Sequence, residues 1–230
     1  MRSRLLSPLL LPLLALPALA EDPPPLSPEL AAEVEQVTSD PSVRCEVVRE
    51  RVRCAPRTYR FLLRRLPLAA KALRALEVTD YRIEDLEQPG TFSIDDRAGA
   101  FARCEAPPRG EGEHLVIARG HLDLPLAPKV LGTGVIDVRF RKRDDDPERL
   151  HVRCSVSFRL QNQALHTLTS ALERILRRVI QRKLDALIGH ATTLAERVQK
   201  EPLVVYRALE RKGEVTPEEL SAYRRAFLMQ

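Results

Sequence analysis

The most regular pattern of apolar positions lies late in the chain, between about residues 162 and 200. Apolar side chains recur there at steps of three and four residues, which is the spacing of one face of an α-helix. These positions are Leu165, Leu168, Leu172, Ile175, Leu176, Val179, Ile180, Leu187, Ile188, Leu194 and Val198. At 1.5 Å per residue the helix would be about 55 Å long. An apolar stripe of that length requires a large apolar partner.

The segment before this helix, from about residue 80 to residue 160, alternates between apolar and polar side chains, as β-strands do. Short turns rich in proline, glycine and aspartate divide it into six predicted strands, at 81–83, 91–94, 100–105, 114–124, 134–141 and 150–160. No strand–helix–strand unit separates them, which excludes a doubly wound parallel fold. We therefore predict an α+β fold, in which a six-stranded antiparallel curved sheet packs on the long C-terminal amphipathic helix.

Helices are also predicted on either side of this core. Ser27 and Pro28 begin a short helix, and residues 58–77 form an amphipathic helix that Pro67 kinks or splits. Residues 43–54 are ambiguous, because they fit both a strand and a helix. After residue 200, Thr216 and Glu219 form a capping box that begins a last short helix. This tail either packs on the domain or holds a partner.

The first twenty residues have the pattern of a signal peptide. Arg2 and Arg4 precede a leucine- and proline-rich run, and Ala18-Leu19-Ala20 fits a signal peptidase site. The run is shorter than a membrane span and contains three prolines. We expect an exported protein, periplasmic or secreted. The chain then divides into a signal peptide (1–20), a Pro-rich leader with a short helix (21–42), the main domain (43–200) and a helical tail (201–230).

The chain is basic, with a net charge of +5 and an isoelectric point near 9.2. In the cytosol this charge would favour nucleic acid as a partner, but export removes that partner and favours an anionic membrane surface or an acidic cell-wall polymer. Four arginines on the polar face of the long helix are candidates for contact with anionic head groups, because a guanidinium matches phosphate geometry. They are Arg174, Arg177, Arg178 and Arg182. The alternative is that this face is simply solvated.

The four cysteines are Cys45, Cys54, Cys104 and Cys154. An even number in an oxidising compartment predicts two disulfides. The preferred pairing is Cys45 with Cys54 and Cys104 with Cys154. The first pair requires a non-helical segment, because a helix would separate its sulfurs by about 13 Å. No cysteine or histidine spacing indicates zinc.

No set of residues indicates catalysis. The five histidines are scattered, and neither an H-E-x-x-H motif nor a G-x-S-x-G motif is present. From the residues alone we predict a protein without enzymatic activity, cofactor or bound metal.

The order of elements, a helix or split helix followed by six antiparallel strands and a long terminal helix, resembles the START-like helix-grip superfamily. That resemblance implies that a bent sheet wraps around the last helix and leaves a tunnel for lipids, sterols or other hydrophobic molecules. The segments Tyr59–Ala69 and Tyr81–Ile83 are also similar to uncharacterised exported bacterial proteins.

The predicted function is therefore a non-enzymatic exported protein that holds a hydrophobic ligand, a lipid or fatty acyl chain, between sheet and helix. The predicted wall of this cavity is formed by Phe92, Ile94, Ile136, Val138, Phe140, Val152, Val156, Phe158, Leu172, Ile175, Leu176 and Val179. The alternative is an envelope structural or interaction protein with a solid core, which docks a partner through its basic helix and tail. The sequence does not indicate an oligomeric state.

Overall fold

The structure, a computed structural model, describes residues 25–124, 129–161 and 170–229. The predicted signal peptide, and Leu165 and Leu168 of the predicted helix, lie outside the described residues. The elements are α1 (Pro28–Ser39), β1 (Val43–Val52), α2 (Pro56–Arg64), α3 (Leu66–Ala75), β2 (Arg82–Asp85), β3 (Thr91–Asp95), β4 (Ala100–Glu105), β5 (Glu113–Leu122), β6 (Val130–Lys142), β7 (Leu150–Leu160), α4 (Ser170–Lys200), α5 (Pro202–Lys212) and α6 (Pro217–Phe227).

The strands form one curved antiparallel sheet in the order β1-β7-β6-β5-β4-β3-β2. The predicted α+β class and the long C-terminal helix are confirmed, but the sheet has seven strands and not six. The additional strand is β1, which pairs with β7 through Val43 opposite Phe158 and Cys45 opposite Val156. The sequence of residues 43–54 fitted both a strand and a helix. The strand forms because the backbone groups at the free edge of β7 require a hydrogen-bonding partner, which β1 supplies.

The two faces of the sheet have different partners. On the convex face, Leu115 and Ile117 of β5 pack against Leu30 and Val37 of α1. The concave face belongs to the main core, which it forms together with α2, α3, α4 and the tail helices. Helix α1 contacts β6 and β7, and it is held at its start by Ser27, whose side chain accepts a hydrogen bond from the Leu30 amide at 3.2 Å. The concave face is therefore the one that α4 covers.

The amphipathic segment before the sheet is split, as Pro67 predicted. Arg65 has φ −133° and ψ 54°, so α2 ends there and α3 begins on the next residue. A continuous helix would have required the amide hydrogen that proline lacks. The two short helices bury Tyr59, Leu62 and Leu73 in the main core.

Helix α4 buries a stripe that is rotated slightly from the predicted one. Leu176, Ile180, Leu184 and Ile188 follow one another at steps of four residues and are all buried. Ile175, which was assigned to the stripe, is 43% exposed. A helix of 3.6 residues per turn cannot turn both Ile175 and Leu176 fully toward one sheet, and the packing selects Leu176.

The tail packs on the domain through α3, which selects one of the two arrangements left open by the sequence. Lys71 of α3 pairs with Glu219 at 2.7 Å, and Arg74 pairs with Glu214 at 2.6 Å. The predicted capping box of Thr216 and Glu219 is present at the start of α6. No helix in the described ranges has both the length and the apolar character that a membrane span requires.

The prediction of two disulfides is wrong. All four cysteines are buried and none is paired with another. Cys104 and Cys154 lie on β4 and β7, which are three strand spacings or about 14 Å apart across the sheet, and the two residues are also offset by four positions along the strands. Cys45 lies near the start of β1, about 23 Å of extended strand before its end at Val52, and Cys54 lies just beyond that end. Both separations exceed the reach of a disulfide. Burial raises the pKa of Cys54, Cys104 and Cys154 to about 12, so these thiols remain protonated.

Candidate functional site: a cavity between the sheet and α4

An apolar cavity of about 180 Å³ lies between α4 and the concave face of the sheet. Its walls are large side chains on both sides, and its floor is formed by small residues of β4, β5 and β6. The floor residues are Ala102, Ala118, Gly120, Gly132 and Gly134. Protein interiors are normally close-packed, so an unfilled space of this size requires a structural cause.

The cause is that small residues face one another across neighbouring strands. Ala102 is opposite Gly120, Gly120 is opposite Gly132, and Ala118 is opposite Gly134. Three adjacent strands therefore present almost no side chain over one patch of the sheet. Because the helix cannot approach the backbone closely while Ile180 and Leu184 project from it, the space above the patch stays open.

The three floor glycines differ in how much room surrounds them. A Cβ atom on Gly120 would lie 2.0 Å from the carbonyl oxygen of Phe101, and one on Gly132 would lie 2.3 Å from the Phe158 ring. These two positions require glycine because their neighbours approach so closely. A Cβ atom on Gly134 would have its nearest neighbour at 3.8 Å. Position 134 therefore has space for a side chain directed into the cavity.

Polar side chains border the cavity at one end, where the turn between β3 and β4 meets α4. The Lys183 ammonium donates hydrogen bonds to the Asp96 carboxylate and to the carbonyl oxygen of Ala98, the latter at 3.0 Å. Asp96 also accepts hydrogen bonds from the amides of Ala98 and Ala100, each at 2.8 Å. Lys183 thus fastens the β3–β4 turn to α4, and we call this end of the cavity the mouth.

Two aromatic contacts complete the border. The Phe101 ring stacks on His121 with centroids 5.9 Å apart, and the Tyr81 ring lies 5.4 Å from His190. Burial, reinforced by the negative charge of Asp96, raises the pKa of Tyr81, so its phenol is a neutral hydrogen-bond donor near neutral pH. The site can therefore enclose an apolar group and offer a phenol, an ammonium and a carboxylate to polar atoms at the mouth.

A smaller void of about 40 Å³ adjoins the cavity between α2, α3 and α4. Tyr81, Ile83 and Leu187 border both spaces, so a modest movement of these side chains would lengthen the cavity toward the helices. Among the described residues, no group of three histidine, cysteine, aspartate or glutamate side chains could hold a metal ion.

The predicted wall residues divide into those that border the cavity and those that lie elsewhere. Ile94, Ile136, Val156 and Phe158 line it. Buried elsewhere in the core are Phe92, Val138, Phe140, Val152 and Leu176. Val179 is half-buried, and Ile175 is largely exposed. Leu172 belongs to α4, but its side chain lies outside the described part of the structure.

Sequence reasoning missed the residues that create the space. It did not use Leu184 or Lys183 on the helix, and it began the fifth strand at residue 134, whereas Gly132 and Thr133 already lie inside β6. The available signal was glycine in the interior of a strand, which marks a close approach or a missing side chain.

The four arginines proposed for head-group contact lie on the exposed face of α4, away from the cavity. Arg177 pairs with Glu173 at 3.2 Å and donates a hydrogen bond to the carbonyl oxygen of Arg44 at 3.0 Å. The other three, Arg174, Arg178 and Arg182, are also exposed. The arginine face and the cavity are therefore separate features of the same helix.

No protein-family model matches the chain, and a search of curated proteins finds no relative. Solved structures do match. One is the di-domain ARO/CYC protein BexL of the BE-7585A biosynthetic pathway, at 16% identity over 73% of this chain and with a TM-score of 0.48. The chain spans only 56% of BexL.

Two further solved structures resemble it. The Zhui aromatase/cyclase from Streptomyces sp. R1128 is 16% identical, and the match has a TM-score of 0.46. The match covers 69% of this chain and 96% of the Zhui chain. The hypothetical protein jhp0584 from Helicobacter pylori has 10% identity, covers 66% and 86% of the two chains, and gives a TM-score of 0.41. At these identities the likeness concerns the arrangement of strands and helices, and the functional argument rests on the cavity itself.

The comparisons correct one prediction. The sequence predicted a protein without enzymatic activity, but two of the matching structures are named as aromatase/cyclases. The absence of a familiar catalytic motif is therefore no ground for excluding catalysis in this chain, and that prediction is withdrawn.

Proposed function

We propose that this protein binds a hydrophobic small molecule in the cavity between α4 and the concave face of the sheet. The observation that carries the proposal is the patch of facing alanines and glycines on β4, β5 and β6, which keeps about 180 Å³ of apolar space unfilled. A solid core would have had larger side chains at these positions. The open space argues against the alternative of a scaffold protein with a filled interior.

The size of the cavity limits its occupant. Apolar cavities of about 150 Å³ bind benzene, so this space accepts one ring or a short stretch of acyl chain. A longer ligand would extend through the mouth, past Lys183 and Tyr81. Those groups would then contact its polar end, which fits an amphiphile such as a fatty acid.

Native mass spectrometry of the purified full chain tests the proposal. We expect a co-purifying small molecule, or uptake of a fatty acid or a single-ring hydrocarbon when either is added. Val156 lines the cavity and is only 8% exposed, so Val156→Trp should fill the space and abolish uptake. The matched control is Val48→Trp. Val48 lies on β1, its side chain is on the face of the sheet opposite the cavity, and it is 36% exposed, so this variant should leave uptake unchanged. A wild-type protein that binds nothing, or a Val156→Trp variant that binds normally, would overturn the proposal.

We also propose that the protein is exported through its first twenty residues. The support is the sequence of charged, apolar and small residues that ends at Ala20. Cell fractionation followed by N-terminal sequencing should find a mature protein that begins at Glu21 outside the cytoplasm. A cytoplasmic protein that retains Met1 would contradict this.

A third part of the proposal concerns the exposed arginines of α4. They would hold the protein against anionic lipid head groups, because guanidinium groups bind phosphate well. Vesicles that contain phosphatidylglycerol should sediment the wild-type protein, whereas phosphatidylcholine vesicles should not. Changing Arg178 and Arg182 together to glutamine should abolish sedimentation. Equal binding of the variant would refute a role for this face.

A further inference from the structure

A second pocket, of about 170 Å³, lies at the opposite end of strands β3 to β5. It is formed where the end of α2 and the start of α3 meet the β2–β3 turn and the loop between β4 and β5. Phe92 and Pro107 supply apolar wall, and Arg64, Arg109 and His114 are its basic residues. This pocket is separate from the cavity beside α4, and it plays no part in the function proposed above.

The basic groups of this pocket have no partners in the described part of the chain. Neither the Arg64 side chain nor the Arg109 side chain makes a hydrogen bond or an ion pair with another described residue. The Nε2 atom of His114 is buried and has no hydrogen-bond partner. A buried polar nitrogen without a partner is unusual in folded proteins, and it indicates a ligand or an ordered water at this point.

The charges around His114 are unbalanced. Arg64 approaches from α2 and Arg109 from the β4–β5 loop, whereas Asp85 at the end of β2 is the acidic residue among those described at the pocket. The next carboxylate of the loop, Glu111, is already paired with Arg60 at 2.7 Å. Burial, together with repulsion from Arg64, lowers the pKa of His114 to about 4. The pocket therefore combines two guanidinium groups with a half-buried imidazole whose Nε2 atom is buried, and it has fewer acidic groups than basic ones.

We propose that this pocket binds a small oxyanion, a carboxylate or phosphate group, between the guanidinium groups of Arg64 and Arg109 and the imidazole of His114. Arginine binds such groups through paired N–H donors. The imidazole Nε2 would supply a further hydrogen bond from inside the pocket. The bound charge would offset the repulsion between His114 and Arg64 and would favour the protonated imidazole.

The test is an NMR titration of the His114 imidazole in the full chain, at pH 6.5 and constant ionic strength, with a His114→Gln variant used to assign the signal. Inorganic phosphate and acetate are added separately, so that the two arms show which kind of oxyanion the pocket accepts, and chloride is the reference. We expect a saturable change in the His114 signal with at least one of the two. With that anion present, the pKa of His114 should rise by about one unit or more.

A matched pair of variants locates the effect. Arg109→Met should weaken the response roughly tenfold, because it removes a charge-assisted contact. Arg103→Met removes an equivalent charge from an exposed position on β4 outside the pocket, and it should leave the response unchanged. The proposal is overturned if neither anion changes the His114 signal beyond the effect of chloride, or if Arg109→Met responds like the wild type. The wild-type titration alone decides the matter if a variant fails to fold.

Discussion

Replacing Gly134 by leucine tests whether the space beside α4 is open. Gly134 lies in β6 between Ala118 of β5 and Phe158 of β7, and it lines the cavity. A Cβ atom there has no neighbour nearer than 3.8 Å. The new side chain would therefore enter the cavity without displacing backbone.

The expected magnitude follows from the volumes. Four carbon atoms, at about 30 Å³ each by comparison with liquid water, occupy about 120 Å³ of the available 180 Å³. Burial of a leucine side chain contributes roughly 1.5–3 kcal/mol, and removal of a strand glycine adds about 0.5–1 kcal/mol. Lost rotamer freedom costs about 0.5–1 kcal/mol. With an imperfect fit, we expect a net stabilisation of about 1–2 kcal/mol.

If the core were filled, Gly134→Leu would instead destabilise the protein, because extra carbon atoms in a well-packed interior cost about 1–3 kcal/mol. Urea unfolding measures the free energy of unfolding, and its increase with added toluene reports ligand binding. We expect Gly134→Leu to be more stable than the wild type and to lose the response to toluene. A destabilised variant, or one that still responds, would refute the reasoning.

Two other glycines provide controls for this experiment. Gly189 lies in α4 with nothing within 4 Å of its Cβ position, so Gly189→Ala should raise stability by about 1 kcal/mol through helix propensity and keep the toluene response. Gly132→Ala places a Cβ atom 2.3 Å from the Phe158 ring, and it should destabilise the protein. The three variants together separate filling of the cavity from a general effect of removing glycine.

Three further outcomes follow from the described contacts. Lys183→Met should lower stability by about 1 kcal/mol and speed amide hydrogen exchange at residues 96–99, because the β3–β4 turn loses its attachment to α4; unchanged exchange would contradict the role given to Lys183. The four cysteine thiols should not react with a thiol reagent until the protein unfolds, and reduction should not change its mass; a mass gain of two hydrogens per bond would reveal disulfides. The pKa of His114 is lowered from 6.5 to about 4 in the folded protein, so between these values the unfolded chain binds a proton at His114 more readily than the folded chain. The free energy of unfolding should therefore fall by about 2–3 kcal/mol as the pH drops from 6.5 toward 4. His114→Gln should show a smaller acid loss than the wild type in urea unfolding at pH 7 and pH 4.5, and an equal loss would contradict the assignment.

The architecture could be predicted because its signals are local and repeated. Alternation along residues 150–160 and the three- and four-residue steps of α4 arise from burial of one face, and burial leaves that mark in any sequence. Strand β1 was harder to assign because residues 43–54 satisfy both periods, and only the free edge of β7, a distant partner in the sequence, favours the extended form.

The site itself was less accessible to sequence reasoning. Phe140 and Val152 have the same pattern as Val156 and Phe158, yet the first pair fills the core and the second pair borders the cavity. Phe158 lies opposite Gly134, which has no side chain, whereas Val152 lies opposite Phe140, and the register of the strands decides which residues face one another. The prediction of two disulfides was wrong for a similar reason, because the number of cysteines carries no information on how many strands separate Cys104 from Cys154.

The central claim is that an apolar molecule enters the space between α4 and the small-residue patch of the sheet. The most direct measurement is a methyl NMR titration of the full chain with toluene. We expect the methyl signals of Ile94, Ile136 and Leu184, which line the cavity, to shift and saturate together. Those of Ile117 and Leu30, on the convex face, should not move. Shifts on both faces, or on neither, would contradict the account.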